Sequence, residues 1–561
     1  MSAGAAAGID PVTTEIVRQG LNAAADQMKR ALVRTAFSPV IYEVLDFAAA
    51  LYDRDVCMLS QADSLPAFMG TMSFCVDAAV EAVGGPEALE PGDIVVYNVP
   101  YGSGSHPQDA SLVMPVFVGG QLIGYSAIKA HWLDIGAKDP YCTDTVDVFQ
   151  EGMVLPGVKL CARGEMVADV LRLILANSRV PKVVEGDINA TVVGVRTGAA
   201  ALARIVERHG VETFEQGVQQ IYEHGERLVR TWIESLPDGR YVGHAAMDSD
   251  GITDDLVTFE TAMEIDGSTV RVDFSASPPH TAGPINCPLP ATVSAARVAI
   301  AQLAGGGEAP NEGFFRPIEV ITRPGTLFHA LSPAPCFLYG WAAEQAMEGL
   351  FESLAAVAPD GIPADSGGDV CALVWWGDRN RRGEAWADGA AHPIGQGAHT
   401  RGDGAHALMH HSEAATRLAP VEVWEARNPW VVERLALAAD SCGAGRHRGG
   451  LGLDVTFRLV EDAWLTSALE HTKRAPKGFA GGTTARANAI ALELPDGTTV
   501  RFGKVTRLRV PAGAAVHLRT GGGGGYGDPS GREPEAVRSD LREGYISEAH
   551  AREHYPHVAL D

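Results

Sequence analysis

The chain is poor in the features that mark several protein classes. It has eight cysteines in 561 residues, none in a Cys-x-x-Cys pair. That excludes a disulfide framework and the usual thiolate zinc knuckles, and predicts free thiols in a reducing cytoplasm. No window of about 18 apolar residues is free of charge, so no membrane-spanning helix is expected. Residues 1–8 are Ala- and Gly-rich, without a basic start or a long apolar run, and do not read as a signal peptide. Cationic residues are in deficit, 45 Lys and Arg against 70 Asp and Glu, for a net charge of −25. That argues against nucleic acid or an anionic membrane as partner, since both are polyanions. A phosphate-binding loop is missing too. The glycine run from Thr520 to Pro529 is followed by no Lys-Ser/Thr and opens no helix, so a tightly packed C-terminal turn is the expectation.

What is present is an ordinary globular composition, 46% hydrophobic and 20% charged, on a chain too long for one core. The element pattern predicts an α+β, multi-domain mixed fold. An N-terminal α/β metal-site domain with a helical bundle segment (1–236) precedes a central α+β domain (237–420), a β-rich domain (421–532) and a C-terminal helical tail (533–561). Asp10-Pro11 reads as a helix cap followed by Pro at the first helical position. Ile16, Leu21, Ala24, Met28, Ala31 and Leu32 then mark the buried face of a helix over 11–36. Residues 40–52 read as a strand. Helices are expected over 185–209 and 213–236, the second opened by a Thr213/Gln216 capping box. Strands 256–265 and 269–275 join across Asp266-Gly267, a helix covers 344–357, and 421–520 is rich in strands.

The chemistry concentrates between residues 93 and 134. Two apolar runs meet at Gly119-Gly120, a hairpin signal because both residues can take positive φ. If those two alone form the loop, Asp109 pairs with Ala130. If Gln121 joins them, Asp109 lies opposite His131. In either register the two residues meet at the open end of the hairpin, with His106 three residues from Asp109. Two imidazoles and a carboxylate near one point suit a borderline cation, Zn²⁺ first and Mn²⁺ or Fe²⁺ next. Asp46, a carboxylate inside the apolar 40–52 run, is costly unless paired or metal-bound, which makes it a candidate fourth ligand. Five histidines (392, 399, 406, 410, 411) fall in a Gly/Ala-rich stretch without fixed ligand spacing, and a mobile loop is expected there rather than a second metal site.

At these residues the chain resembles the hydantoinase B/oxoprolinase family. The matching motifs run nearly end to end: Glu43-x-x-Asp46-Phe47, Pro91-Gly92-Asp93, Asn98-x-Pro100-Tyr101, His106-x-x-Asp109 and His131-x-x-Asp134-Ile135-Gly136. They continue through Glu151-Gly152, Asn177-Ser178-Arg179, Asp273-Phe274-Ser275, Asn311-Glu312-Gly313, the 440–450 segment and the closing glycine run. The resemblance implies a metal held by Asp46, His106, Asp109 and His131, and favours the three-residue loop. It implies a B-type subunit that opens cyclic amides (hydantoin, oxoproline or a lactam) together with an ATP-using hydantoinase A-type subunit in an (AB)n hetero-oligomer. The alternative within the family is a subunit of an ATP-dependent ketone carboxylase of the acetone or acetophenone type. Asp134 is then expected to hold the attacking water as general base, or to orient His131. Trp132 and Phe68 stand where the family commonly has polar groups, which points to a more apolar substrate.

Overall fold

The alternation that usually reveals strands is muted in this chain because its largest sheet is covered on both faces, so nearly every strand residue is apolar. The computed structural model describes residues 9–355, 357–358, 361–380 and 383–560; the 1–8 stretch lies outside them. The sheet has seven strands in the order β2-β1-β5-β4-β3-β6-β7. They are β1 (Phe47–Asp53), β2 (Met58–Gln61), β3 (Ile94–Tyr97), β4 (Asp109–Val118), β5 (Gln121–His131), β6 (Pro156–Ala162) and β7 (Glu165–Met166). Phe47, Ala49, Leu51, Leu112 and Ile128 face the helices Pro11–Thr35 and Pro181–His209, meeting Leu21, Met28 and Val195. Ala48, Ala50, Tyr52, Val113 and Ala127 face the helices Met72–Ala82, Leu289–Ala304 and Tyr339–Leu354. At about 1.5–3 kcal/mol for each large apolar side chain removed from water, these two layers anchor the N-terminal half.

The β4–β5 hairpin settles the register in a way neither alternative anticipated. The turn is the two-residue one, with Val118 opposite Gln121 and positive φ at Gly119 and Gly120. A bulge then shifts the pairing by one, from Phe117–Leu122 to Val116–Gly124, and so brings Asp109 opposite His131. A bulge inserts one residue on one strand only, here Ile123, which has the same effect on register as a longer loop.

Several local expectations change in the folded chain. Asp10 caps the first helix by accepting from the Val12 and Thr13 N–H groups, but Val17 is the buried residue and Ile16 is 47% exposed. Residues 40–52 are not one strand: Val40–Val44 form a π-helical turn, and Leu45 sits in the left-handed region (φ 67°) before β1 begins. The capping box at Thr213 does not form. The helix starts at Val211 behind Gly210, and the Gln216 side chain bonds Glu212 instead.

Beyond the first sheet, β8 (Gly239–Met247), β9 (Val257–Asp266), β10 (Thr269–Asp273) and β11 (Ile318–Ile321) form a four-stranded sheet, with β9 and β10 joined across Gly267. Two further antiparallel sheets, of four and five strands, use segments from 372 to 519. The glycine run is a packing seam between them. A Cβ on Gly523 would lie 1.9 Å from the Gln396 carbonyl oxygen, and one on Gly524 as close to that of Lys477. The tail helices Pro534–Arg542 and Glu548–His554 dock through Val537, Ile546, Ala551 and Tyr555. Among the described residues no helix is long and apolar enough to cross a membrane.

Candidate metal centre

Three separate backbone features bring the donors together. The pleat places Asp109 and His131 as a cross-strand pair on the sheet face that looks toward the helix Tyr339–Leu354. Asp46 follows the left-handed Leu45 immediately before β1, and its carbonyl accepts the His131 N–H at 3.2 Å. A non-glycine residue in that region is strained, and such strain collects at functional sites. His106 sits in the turn before β4, where Asn98 holds the loop by donating to the carbonyls of Pro107 (2.7 Å) and Met153 (2.9 Å).

The side chains converge closely. His131 Nδ1 lies 2.9 Å from Asp109 Oδ1, 3.2 Å from His106 Nε2 and 3.7 Å from Asp46 Oδ2. His106 Nε2 is itself 3.2 Å from Asp109 Oδ1. The His106 tautomer follows from its other nitrogen, since Nδ1 meets the Phe337 carbonyl at 2.9 Å and must be the donor there. In the neutral ring Nε2 then presents a lone pair to the cluster. A single proton on His131 Nδ1 bonds Asp109 or His106 well, but not both. A divalent cation suits His106, Asp109 and His131 at once, since bonds of about 2.0–2.2 Å in tetrahedral array put neighbouring ligands about 3.3–3.6 Å apart, and Asp46 stands next to this trio, nearest His131. The two-nitrogen, two-carboxylate set fits zinc or a neighbouring borderline ion.

Outer contacts orient these groups. The Tyr339 hydroxyl donates to Asp109 Oδ2 at 3.1 Å, leaving Oδ1 for the cluster. Buried Glu151 accepts the Cys336 and Phe337 N–H groups at 2.8 and 2.9 Å. It thereby fixes the carbonyl that sets the His106 tautomer. Burial lifts the Glu151 carboxyl to about 7. Burial also lifts Asp46 to about 6, with His131 opposing and the Asp109 charge reinforcing the shift. Burial works against the Asp109 charge as well, but His106 and His131 outweigh it and keep that carboxyl below its usual range.

The four donors lie on a cavity of about 100 Å³. Its walls are largely apolar, with Val40, Val44, Leu65, Phe68, Trp341 and Val374 among them, and two acids, Glu344 and Glu413, complete it. Burial pushes both carboxyls well above their ordinary range, and neighbouring acids add to the shift.

Two expectations are corrected here. Asp134 neither lines the cavity nor contacts His131. Arg179 Nη1 donates to its Oδ1 at 2.6 Å, and the Arg179 and Gly136 N–H groups also bond its carboxylate, so it ties the chain after β5 to residue 179. Trp132 faces the opposite side of the sheet, fully buried among Leu112, Ile128 and Ile174. Only Phe68 of the two aromatics reaches the cavity. Tyr339, Glu344 and Glu413 were missed by sequence reasoning. They lie more than 200 residues from His106, and no local pattern marks them.

The family model described as Hydantoinase B/oxoprolinase matches residues 10–529. The caprolactamase subunit beta of Pseudomonas jessenii is 29% identical over 566 residues, covering 98% of this chain and 96% of that one. The crystal structure of the ATP-dependent caprolactamase from the same organism superposes with a TM-score of 0.91 at 27% identity, covering 98% and 97% of the two chains. The 5-oxoprolinase 1 of Arabidopsis thaliana is 24% identical over 92% of this chain, which corresponds to 42% of that protein. A nucleotide-free acetone carboxylase shares the fold, with a TM-score of 0.89 at 21% identity over 97% of this chain and 79% of that one.

Proposed function

The chain belongs to the hydantoinase B/oxoprolinase family, and we propose that it is the metal-dependent B-type subunit of an ATP-dependent cyclic-amide hydrolase. The observation that carries this reading is the convergence of His106, Asp109 and His131, with Asp46 beside His131, on an apolar-walled cavity. An unactivated amide resists attack, so the acyl oxygen needs a positive centre and the ring nitrogen needs a proton as it leaves. When bound by these four residues, a divalent ion such as Zn²⁺ supplies Lewis acidity toward an acyl oxygen and a water of lowered pKa.

The chain's own groups supply the rest. Tyr339 holds Asp109, and the Phe337 carbonyl holds His106, so the donors are oriented before substrate arrives. Phe68, Leu65 and Trp341 pack against the methylene carbons of a small ring and exclude water. Glu344 and Glu413, whose carboxyls burial shifts toward the protonated form, supply the proton for the departing nitrogen. ATP use falls to an A-type partner subunit, because the glycine run here is a packed seam without a phosphate-binding Lys. Eight unpaired thiols support a cytoplasmic location.

The test is to purify the chain alone and with its ATP-using partner, and assay hydantoins, 5-oxoproline and caprolactam with ATP and Zn²⁺ or Mn²⁺. The expected result is ring-opened product only with partner, ATP and metal together. Turnover by the isolated chain, or full activity after metal stripping, would sink the reading. Carboxylation of a ketone in place of ring opening would move the chain to the family's other chemistry.

A further inference from the structure

We infer that Glu348, His410 and His411 form a second divalent-cation site, separate from the cavity and independent of which reaction takes place there. Far from forming a solvated mobile loop, the 392–411 stretch is partly built into the core. His392 and His410 are buried, and His406 stacks on Tyr545 at 4.4 Å between ring centroids. Its last two histidines meet the helix Tyr339–Leu354 one turn beyond Glu344. His410 Nε2 and His411 Nε2 lie 3.3 and 3.4 Å from the same oxygen, Glu348 Oε1, with ring centroids 4.2 Å apart. Those separations match neighbouring ligands on one tetrahedral zinc, about 3.3–3.5 Å. Two histidines with one glutamate are also a known three-ligand zinc set that keeps a fourth position open.

Hydrogen bonding alone leaves this cluster poorly satisfied. His411 Nε2 is buried and makes no hydrogen bond. Glu348 Oε1 already accepts the Ser366 hydroxyl at 2.7 Å. On the other side of His410, Nδ1 lies 2.8 Å from Ser412 Oγ, whose hydroxyl donates to Glu344 Oε1 at 2.9 Å. The Ser412 N–H donates to His410 Nδ1 at 3.2 Å, which leaves the ring's other nitrogen, Nε2, facing Glu348 Oε1, where a bound ion takes the place of its proton.

Such an ion would pin Ser412 and Glu413 to the helix that carries Tyr339 and Glu344, clamping one wall of the cavity from behind. The rival is a metal-free imidazolium–carboxylate contact. The experiment uses the full chain, stripped of metal, loaded with Zn²⁺ alone, dialysed and analysed for zinc. Wild type should hold about two ions, and a His106→Ala/His131→Ala variant about one. Adding His411→Gln or Glu348→Gln to that variant should remove the last. His411 is 17% exposed and both changes nearly conserve volume, so folding is checked by circular dichroism on each.

Zinc should raise the thermal midpoint of the double variant but not of the triple variants. A zinc-edge anomalous peak should lie between the three side chains. The site is overturned if the double variant binds no zinc, or keeps its zinc through both further substitutions. A single zinc in wild type that survives His106→Ala/His131→Ala and is lost on His411→Gln would sink the cavity centre and leave this one standing.

Discussion

The Tyr339 hydroxyl donates to Asp109 Oδ2 at 3.1 Å, joining a helix to a strand 230 positions away in sequence. Asp109 is 1% exposed, so Tyr339→Phe leaves a buried carboxylate oxygen without a partner at a cost of about 1–3 kcal/mol. The donor atoms all remain, and loss of an orienting contact of this kind weakens metal binding by roughly 10–100-fold. A zinc competition titration together with a thermal melt checks both. Unchanged affinity would show that Asp109 is held by the histidines alone.

His131→Ala removes one donor and leaves Asp109 Oδ1 short of a partner. The stability loss should fall within about 1–3 kcal/mol, while zinc at the cavity and ATP-dependent turnover with the partner should be lost together. Metal content, thermal midpoint and turnover are measured on one preparation. Retention of cavity zinc and activity would place the chemistry elsewhere.

Trp132→His makes the position resemble its family, yet it should not change substrate preference. The indole is fully buried on the face away from the cavity. Replacing it with a smaller polar ring costs on the order of 3 kcal/mol of stability. Phe68→Leu, which reshapes a cavity wall, is the variant expected to reorder substrates. The comparison is a ranking of kcat/KM across ring sizes for the two variants. A changed ranking in Trp132→His alone would contradict the orientation found here.

Asp187 provides a pH test away from the site. Its Oδ1 accepts the Phe37 and Ser38 N–H groups at 2.7 and 2.9 Å, while Oδ2 is buried without a partner. Burial raises the carboxyl from 3.8 to about 6, against the pull of those bonds. A raised acid binds its proton more tightly in the folded chain. Its contribution is therefore full below the unfolded value and lost as pH rises through the window from 3.8 to about 6. The total is about 3 kcal/mol. Asp187→Asn should flatten that part of the stability–pH curve, which denaturant melts between pH 4 and 7 on both proteins would show; parallel curves would refute it.

The meeting of Asp109, His131 and His106 was legible before folding because it rests on short-range rules. A Gly-Gly turn with alternating flanks brings Asp109 and His131 to one hairpin mouth, and His106 follows at a fixed distance along the chain. Asp46 stood out because a carboxylate in an apolar run needs a partner. The packed glycine run and the amphipathic tail were readable for similar reasons, one from the absent Lys and the other from its apolar spacing.

The hairpin register was not legible. The bulge at Ile123 gains nothing locally and is selected by the summed packing of both sheet faces, which also turns Trp132 into the core and away from the cavity. Asp134 looked catalytic until the fold brought Arg179 against it. The burial of His410 beside His411, and the arrival of Tyr339, Glu344 and Glu413 at the cavity, depend on contacts from tens to hundreds of residues apart. Turn chemistry and side-chain period act over a few residues and decide which groups are available. Which of them meet is decided by tertiary packing, whose energy is spread over the whole core and carried by no single stretch of chain.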